Sequence, residues 1–305
     1  MHRAIRQFNL VRRLGTIALA LSILYALAIA YITARQRHLI YRPRPELSLL
    51  PDHPDFGLTY EDVWIPVGES GHRLHGWWLP ATAEDSVVLP DEPAQILPSS
   101  KVMLYLCGVG RNMGDYNYLA RVSAFRQLGF SVLVFDYQGY GRSGGEFPHE
   151  AQLYEDAEAA WQYLRAVQQI PAEQIVIYGE SLGGAIALEL AIQHPDAAGL
   201  IMQSSFTSMS AAVQQRAFTR FLPIDQMLTE RFASIDKVAA LQIPVLFLHG
   251  EADSVVPSAM SQQLYNRALP PKQLFLIPEA DHVSIYRSGS ASYLRGIHRF
   301  IQRLP

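Results

Sequence analysis

Ser181 stands in Gly179-Glu180-Ser181-Leu182-Gly183, directly after the strand-forming residues 175–178 and directly before an unbroken helical run over 182–194. A strand that turns sharply into a helix at a serine is a nucleophile elbow, in which the tight turn lifts the hydroxyl clear of the backbone. Glycines at 179 and 183 suit a chain that crowds where a Cβ would clash. The helix N-terminus aims amide N–H groups and partial positive charge at the place where an oxyanion would form. The chemistry to expect is attack of a serine hydroxyl on an acyl carbon.

The same pattern recurs in Gly141-Arg142-Ser143-Gly144-Gly145. There the preceding apolar strand ends at Asp136, and Glu146-Phe147-Pro148 opens no helix, so Ser143 reads as a turn residue. Gly139, Gly141 and Gly144 also match a dinucleotide fingerprint, but again without a following helix, and no nucleotide cofactor is expected.

A serine hydroxyl needs a base to take its proton and an acid to orient that base. Beyond the last expected strand, 273–277, His282 lies in the loop that follows at once, whereas His298 falls inside a closing helix over 291–303. His282 is the candidate base. For the acid, strand 199–203 runs into Ser204-Ser205-Phe206 without a carboxylate, while strand 244–249 leads to Gly250-Glu251-Ala252-Asp253. Asp253, deeper in that loop, is preferred to Glu251, and Asp281 reads as a loop cap. Two oxyanion donors are expected: the N–H of Leu182, next after the nucleophile, and that of Val109, in the Gly108-Val109-Gly110 loop after strand 101–106.

The elements that must position these groups form an α/β fold. Strands over 101–106, 131–136, 174–178, 199–203, 244–249 and 273–277 alternate with helices over 116–128, 151–168, 182–194, 258–268 and 291–303. Short apolar strands separated by helices mean a mostly parallel central sheet flanked by helices on both faces. Two earlier strands, 59–67 and 72–79, are joined in hairpin fashion by Gly68-Glu69-Ser70-Gly71. His72 and His75, three apart on a strand, face opposite sides and make no metal site. Residues 81–100, with three prolines, read as a surface insertion. The irregular segment 204–243 reads as a short helical cap made apolar by Phe206, Met209, Phe218, Phe221 and Met227. Phe206, Phe218 and Phe221 are candidate walls of an acyl pocket, the plain alternative being a helix face packed on the sheet.

At the N-terminus a basic segment, 1–13, precedes 14–34, which carries no charge and is long enough as a helix to span a bilayer core of roughly 30 Å. It reads as a transmembrane helix or signal anchor, hence a single-pass membrane protein, with Ala28-Ile29-Ala30 as a possible cleavage site. Four arginines flank it on each side, Arg3, Arg6, Arg12 and Arg13 against Arg35, Arg37, Arg42 and Arg44, so the positive-inside rule sets no orientation. Residues 35–58, rich in proline, read as a linker that stands the domain, 59–305, off the membrane. A fragment beginning after residue 38 is then expected to be active. The net charge of −3, with no basic cluster outside the N-terminal region, argues against a nucleic-acid partner. A lone cysteine, Cys107, excludes an internal disulfide and a cysteine-based zinc site, and no metal is expected.

Taken together, these motifs resemble the α/β-hydrolase superfamily, and most of all its membrane-anchored branch related to Bem46 and the ABHD hydrolases. The resemblance rests on Leu39-Ile40-Tyr41-Arg42-Pro43, on Leu74-His75-Gly76-Trp77-Trp78-Leu79-Pro80, on 135–145, on the elbow, and on His249-Gly250-Glu251-Ala252-Asp253 with Val256-Pro257. It places Ser181, Asp253 and His282 on the family's triad positions. Two departures stand out: Cys107-Gly108-Val109 where the family usually has His-Gly-Asn, and Gln138 where it usually has arginine. A backbone donor at 109 survives the first change. The resemblance implies serine hydrolysis, on a fold that hosts esterases, thioesterases, lipases and peptidases alike. The apolar cap and anchor point to a small-molecule or lipid-like acyl ester or thioester, cleaved through an acyl-enzyme. An aminopeptidase would instead want a carboxylate over the site, for which Asp225, Glu230 and Asp236 are candidates. A non-catalytic binding protein is the third reading. Arg111, near the oxyanion loop, is either a head-group ligand or a solvated loop residue.

Overall fold

The computed structural model describes residues 2–81, 101–283, 285–288 and 290–305, so the expected insertion over 81–100 lies, but for Ala81, outside the described residues. The chain opens with helix α1 (His2–Ile40), then hairpin strands β1 (Glu61–Pro66) and β2 (Arg73–Leu79). There follow β3 (Val102–Leu106), α2 (Tyr116–Gln127), β4 (Ser131–Phe135), α3 (Glu150–Gln162), β5 (Ile175–Glu180), α4 (Leu182–Gln193) and β6 (Gly199–Gln203). The short helices α5 (Met209–Gln214), α6 (Ile224–Met227) and α7 (Ser234–Lys237) make the cap region. The chain closes with β7 (Val245–Gly250), α8 (Ala259–Arg267), β8 (Lys272–Ile277), α9 (Ile285–Ser288) and α10 (Ser290–Ile301).

The eight strands form one sheet in the order β1-β2-β4-β3-β5-β6-β7-β8. The β1–β2 and β2–β4 pairs are antiparallel, and from β4 to β8 all pairs are parallel. Strands β3, β5, β6 and β7 are buried along their whole length, because helices cover both faces. Period-two alternation divides their side chains between two apolar layers: Leu104 and Ile177 pack on one face, Met103 and Val176 on the other. Helix α4 packs immediately behind the elbow with nearly every side chain buried, from Leu182 to Ala191, which leaves Ser181 little freedom to move.

The segment read as a stand-off linker is instead strapped to the domain. Arg42 N–H donates to Val109 O at 3.2 Å, Leu49 N–H to Gly114 O at 3.1 Å, and Asn112 Nδ2 to Arg44 O at 3.0 Å. A Cβ on Gly114 would stand 2.8 Å from Leu49 O, so the two chains touch backbone to backbone. The prolines do make this segment extended, but extended chain carries unpaired peptide groups, and the loop after β3 offers them partners. The last turns of α1 are tied in as well. Gln36 Nε2 donates to Met227 O at 3.3 Å, Gln36 Oε1 accepts from Thr229 N at 2.8 Å, and Arg37 Nε meets buried Glu230 at 3.2 Å. A cut after residue 38 therefore removes contacts that hold the cap, against the expectation of a self-sufficient fragment.

Candidate active site

Ser181 sits between β5 and α4 at φ 54° and ψ −119°, a conformation that costs a non-glycine residue roughly 1–3 kcal/mol. Hydrogen bonds from Ser181 N to Gln203 O (2.8 Å) and from Ser205 Oγ to Ser181 O (2.9 Å) hold the strained turn. The flanking glycines are steric necessities: a Cβ at 183 would stand 2.1 Å from Leu106 O, and one at 179 would stand 2.2 Å from Gly183 O.

His282 Nε2 lies 3.2 Å from Ser181 Oγ, and His282 Nδ1 lies 2.6 Å from Asp253 Oδ2. A carboxylate only accepts, so Nδ1 carries the proton and Nε2 is left to accept from the serine hydroxyl. Asp253 is buried, and its Oδ1 accepts from Val255 N (2.9 Å) and Val256 N (2.8 Å). Its Oδ2 is shared with buried His249, whose Nε2 stands 3.1 Å away and also 2.9 Å from Val256 O. Both neighbours accept, so His249 is protonated at Nε2, with Nδ1 left to accept from Ser261 Oγ at 2.7 Å. Burial pushes the Asp253 carboxyl up, but the hydrogen bonds from His249 and His282 and the charge of His282 outweigh it, and the carboxyl is held well below the usual range. The sequence signal for His249 is its place at the head of the His249-Gly250-Glu251-Ala252-Asp253 motif, four residues before Asp253.

The loop after β3 reaches the elbow at Gly108, where a Cβ would stand 3.7 Å from Ser181 Cβ. Its three successive carbonyls are pinned by three buried tyrosines. Tyr137 Oη donates to Cys107 O (3.1 Å), Tyr118 Oη to Gly108 O (3.1 Å) and Tyr140 Oη to Val109 O (2.8 Å). In a trans peptide C=O and N–H point opposite ways, so holding Gly108 O aims the Val109 N–H. If the Val109 N–H is an oxyanion donor, as the sequence leads one to expect, Tyr118→Phe should lower kcat about tenfold on short acyl esters while leaving KM within about twofold, since such a donor acts on the transition state. A rise in KM at constant kcat would show that Tyr118 only shapes the pocket. Sequence reasoning missed all three tyrosines, though 137 and 140 stand inside a quoted motif.

Above Ser181 lies a cavity of about 530 Å³, walled by α1, the loop after β3, the cap and the His282 loop. Val109, Leu182 and Phe206 line it, as do Met209 and Met227 of the cap. The Phe218 side chain is outside the described residues. Phe221 departs from expectation: the turn Ala217–Phe221 sends Thr219 and Leu222 inward and leaves Phe221 73% exposed on the outer side. The three cap carboxylates also turn elsewhere. Glu230 is buried against Arg37, Tyr41 and Glu150 N, Asp225 meets Ser210 on the surface, and Asp236 is exposed. The carboxylates that do line the cavity are engaged, Asp115 with Arg111 and Glu180 with Arg121 at 3.0 Å. Ser143 Oγ donates to Asp136 O at 2.6 Å and accepts from His75 N at 2.9 Å, which makes it a structural pin. Glu251 is exposed, and Asp281 caps its loop by accepting from Val283 N at 3.0 Å.

Residues 98–235 and 226–286 match the family described as serine aminopeptidase, S33. An uncharacterized protein of Mycobacterium tuberculosis is 33% identical over 279 residues, covering 90% of this chain and 89% of that protein. The chain belongs to this family of α/β-hydrolases. Within it, protein bem46 of Schizosaccharomyces pombe is 28% identical over 281 residues, 90% of this chain and 88% of bem46, and the chain is of the Bem46-like type. An esterase of Pyrococcus furiosus superposes with a TM-score of 0.67 at 19% identity, over 87% of this chain and 97% of the esterase, which shows the fold. As an α/β-hydrolase of Bem46-like type, the protein is a hydrolase of the esterase and serine aminopeptidase class.

Proposed function

We propose that this α/β-hydrolase is a single-pass membrane-anchored serine hydrolase that cleaves acyl esters or thioesters. The observation that carries the reading is the hydrogen-bonded run from Ser181 through His282 to Asp253 at the floor of a largely apolar cavity. In this reading Ser181 Oγ attacks the acyl carbon as its proton passes to His282 Nε2. The Val109 and Leu182 N–H groups hold the oxyanion, and Asp253 steadies the imidazolium. The bond from the acyl carbon to the leaving oxygen or sulfur breaks, and the leaving group takes the proton from His282. Water then attacks the acyl-enzyme, gives its proton to His282, and the same proton returns to Ser181 as the acid departs.

The anchor belongs to the same reading. Residues Phe8–Ile40 of α1 form a helix long and apolar enough to cross a membrane, and its apolar window buries nothing against the domain. Retention of the segment, rather than cleavage near Ala30, is supported by Gln36 and Arg37 being built into the cap contacts. The hydrolase domain, 59–305 with its cap at 204–243, would then sit directly against the membrane surface.

An aminopeptidase reading draws on the family's description, but the three cap carboxylates that could hold a substrate amine do not line the cavity. A panel of p-nitrophenyl esters, acyl thioesters and aminoacyl anilides separates the readings. Each buried methylene adds up to about 0.8 kcal/mol, so kcat/KM should rise several-fold from acetyl to a medium chain. Phe206→Ala should flatten that rise more than it slows acetyl ester cleavage. A flat ester series with good anilide turnover would replace the ester reading by the peptidase one, and a panel with no turnover at all would favour a binding protein.

A further inference from the structure

Five residues of α1, Ile32, Thr33, Gln36, Leu39 and Ile40, line the cavity above Ser181. At about 100° per residue they fall within an arc of about 120°, one face of the helix. The anchor is thus also a wall of the site. The uncharged run ends at Ala34, so Ile32 and Thr33 stand at the edge of the hydrocarbon and Gln36 to Ile40 at head-group level.

The cap meets α1 further down. Tyr25 Oη donates to Phe221 O at 2.7 Å, which places the turn Ala217–Phe221 beside the helix nine residues, about 14 Å, inside the end of the uncharged run. The outward side of this turn carries Phe221, 73% exposed, and on α1 around Tyr25 the side chains of Leu21 and Leu24 are 61% and 64% exposed. Its inward residues, Thr219 and Leu222, line the cavity. An apolar surface of this kind is at home in lipid rather than in water, and the Arg220 guanidinium on the same turn lies 5.6 Å over the Phe221 ring, whose face offsets part of its charge.

We propose that the cavity is loaded from the bilayer, through a lateral portal between the Ile32–Ile40 face of α1 and the cap turn Ala217–Phe221. The substrate class is then an acyl ester or thioester whose chain resides in the membrane leaflet, with the carbonyl drawn up to Ser181 at the interface. This rests on the acyl-hydrolase and membrane-anchor readings above, and it adds the route and the source of the chain.

The test uses the full chain in phosphatidylcholine vesicles. Phe221→Trp places a reporter on the outer side of the cap turn, the four native tryptophans being subtracted with the wild type. Lipids brominated on their acyl chains should quench the added emission at least about twofold, and aqueous iodide should do much less. Quenching by iodide but not by bromolipid would place the turn in water and overturn the proposal. In a second arm, Thr33→Trp narrows the portal. It should lower turnover of a dodecanoyl ester held in the bilayer by roughly tenfold more than turnover of a water-soluble acetyl ester, the factor carried by about two methylenes of contact. Equal losses on both esters, or none, would also overturn it. Fluorophosphonate labelling of Ser181 reports whether Thr33→Trp remains folded. If the wild type itself fails to label, the serine hydrolase reading falls, and bromolipid quenching still decides where the cap lies.

Discussion

Asp253→Asn is expected to lower acyl-ester turnover by about 10³-fold or more, because an amide can neither hold His282 in the right tautomer nor stabilise the imidazolium. The surroundings make the change harsher than a simple loss of charge. All four groups around the carboxylate point donors at it: His282 Nδ1, His249 Nε2, Val255 N and Val256 N. Whichever way an asparagine is turned, its amide nitrogen faces donors, so a loss of stability should accompany the loss of rate. The pH dependence has a definite sign. The folded-state carboxyl is held below its unfolded value of about 3.9, so its contribution is complete above that value and is lost as pH falls below it. The stability gap between wild type and Asp253→Asn should therefore narrow in acid, as followed by thermal unfolding at a series of pH values. Glu251→Gln, at an exposed position, should cost less than about tenfold in rate. The reverse ranking would mean that Glu251 is the orienting acid.

Ser181→Ala should lower turnover by at least about 10³-fold, since the members of such a site act as a unit. The fold should survive, because alanine takes the same positive φ at much the same cost as serine, and the backbone bonds to Gln203 and Ser205 do not involve the hydroxyl. Ser143→Ala should do the opposite: keep the rate, and lose roughly 1 kcal/mol of stability with the two hydrogen bonds that pin the β4 end to β2.

Much of this arrangement was legible in the sequence because it lies in local patterns. The alternation of apolar strands with helices is a property of short windows, and so is the passage from strand to serine to helix that marks the elbow. That His282 and Asp253 would come together beside Ser181 was suggested by the place of each in a loop directly after a strand. What was not legible is contact across the chain. The proline run at 43–54 looks like a spacer, since nothing local reveals that the loop 109–114 will satisfy its peptide groups. Tyr118 lies ten residues from Gly108 and Tyr140 lies thirty-one from Val109, so their grip on the loop after β3 depends on the finished sheet. Apolarity alone suggests Phe221 as a pocket residue. The turn that carries it faces it outward, where its ring takes the Arg220 guanidinium and its carbonyl the Tyr25 hydroxyl of α1.

The central claim is that Ser181, activated by His282, is the nucleophile. Its most direct test is to react the full chain with a fluorophosphonate and locate the adduct by peptide mass spectrometry. The account predicts one adduct, on Ser181, that is lost in Ser181→Ala, strongly slowed in His282→Ala and unaffected by Ser143→Ala. An adduct on another serine, or labelling that persists in Ser181→Ala, would contradict it.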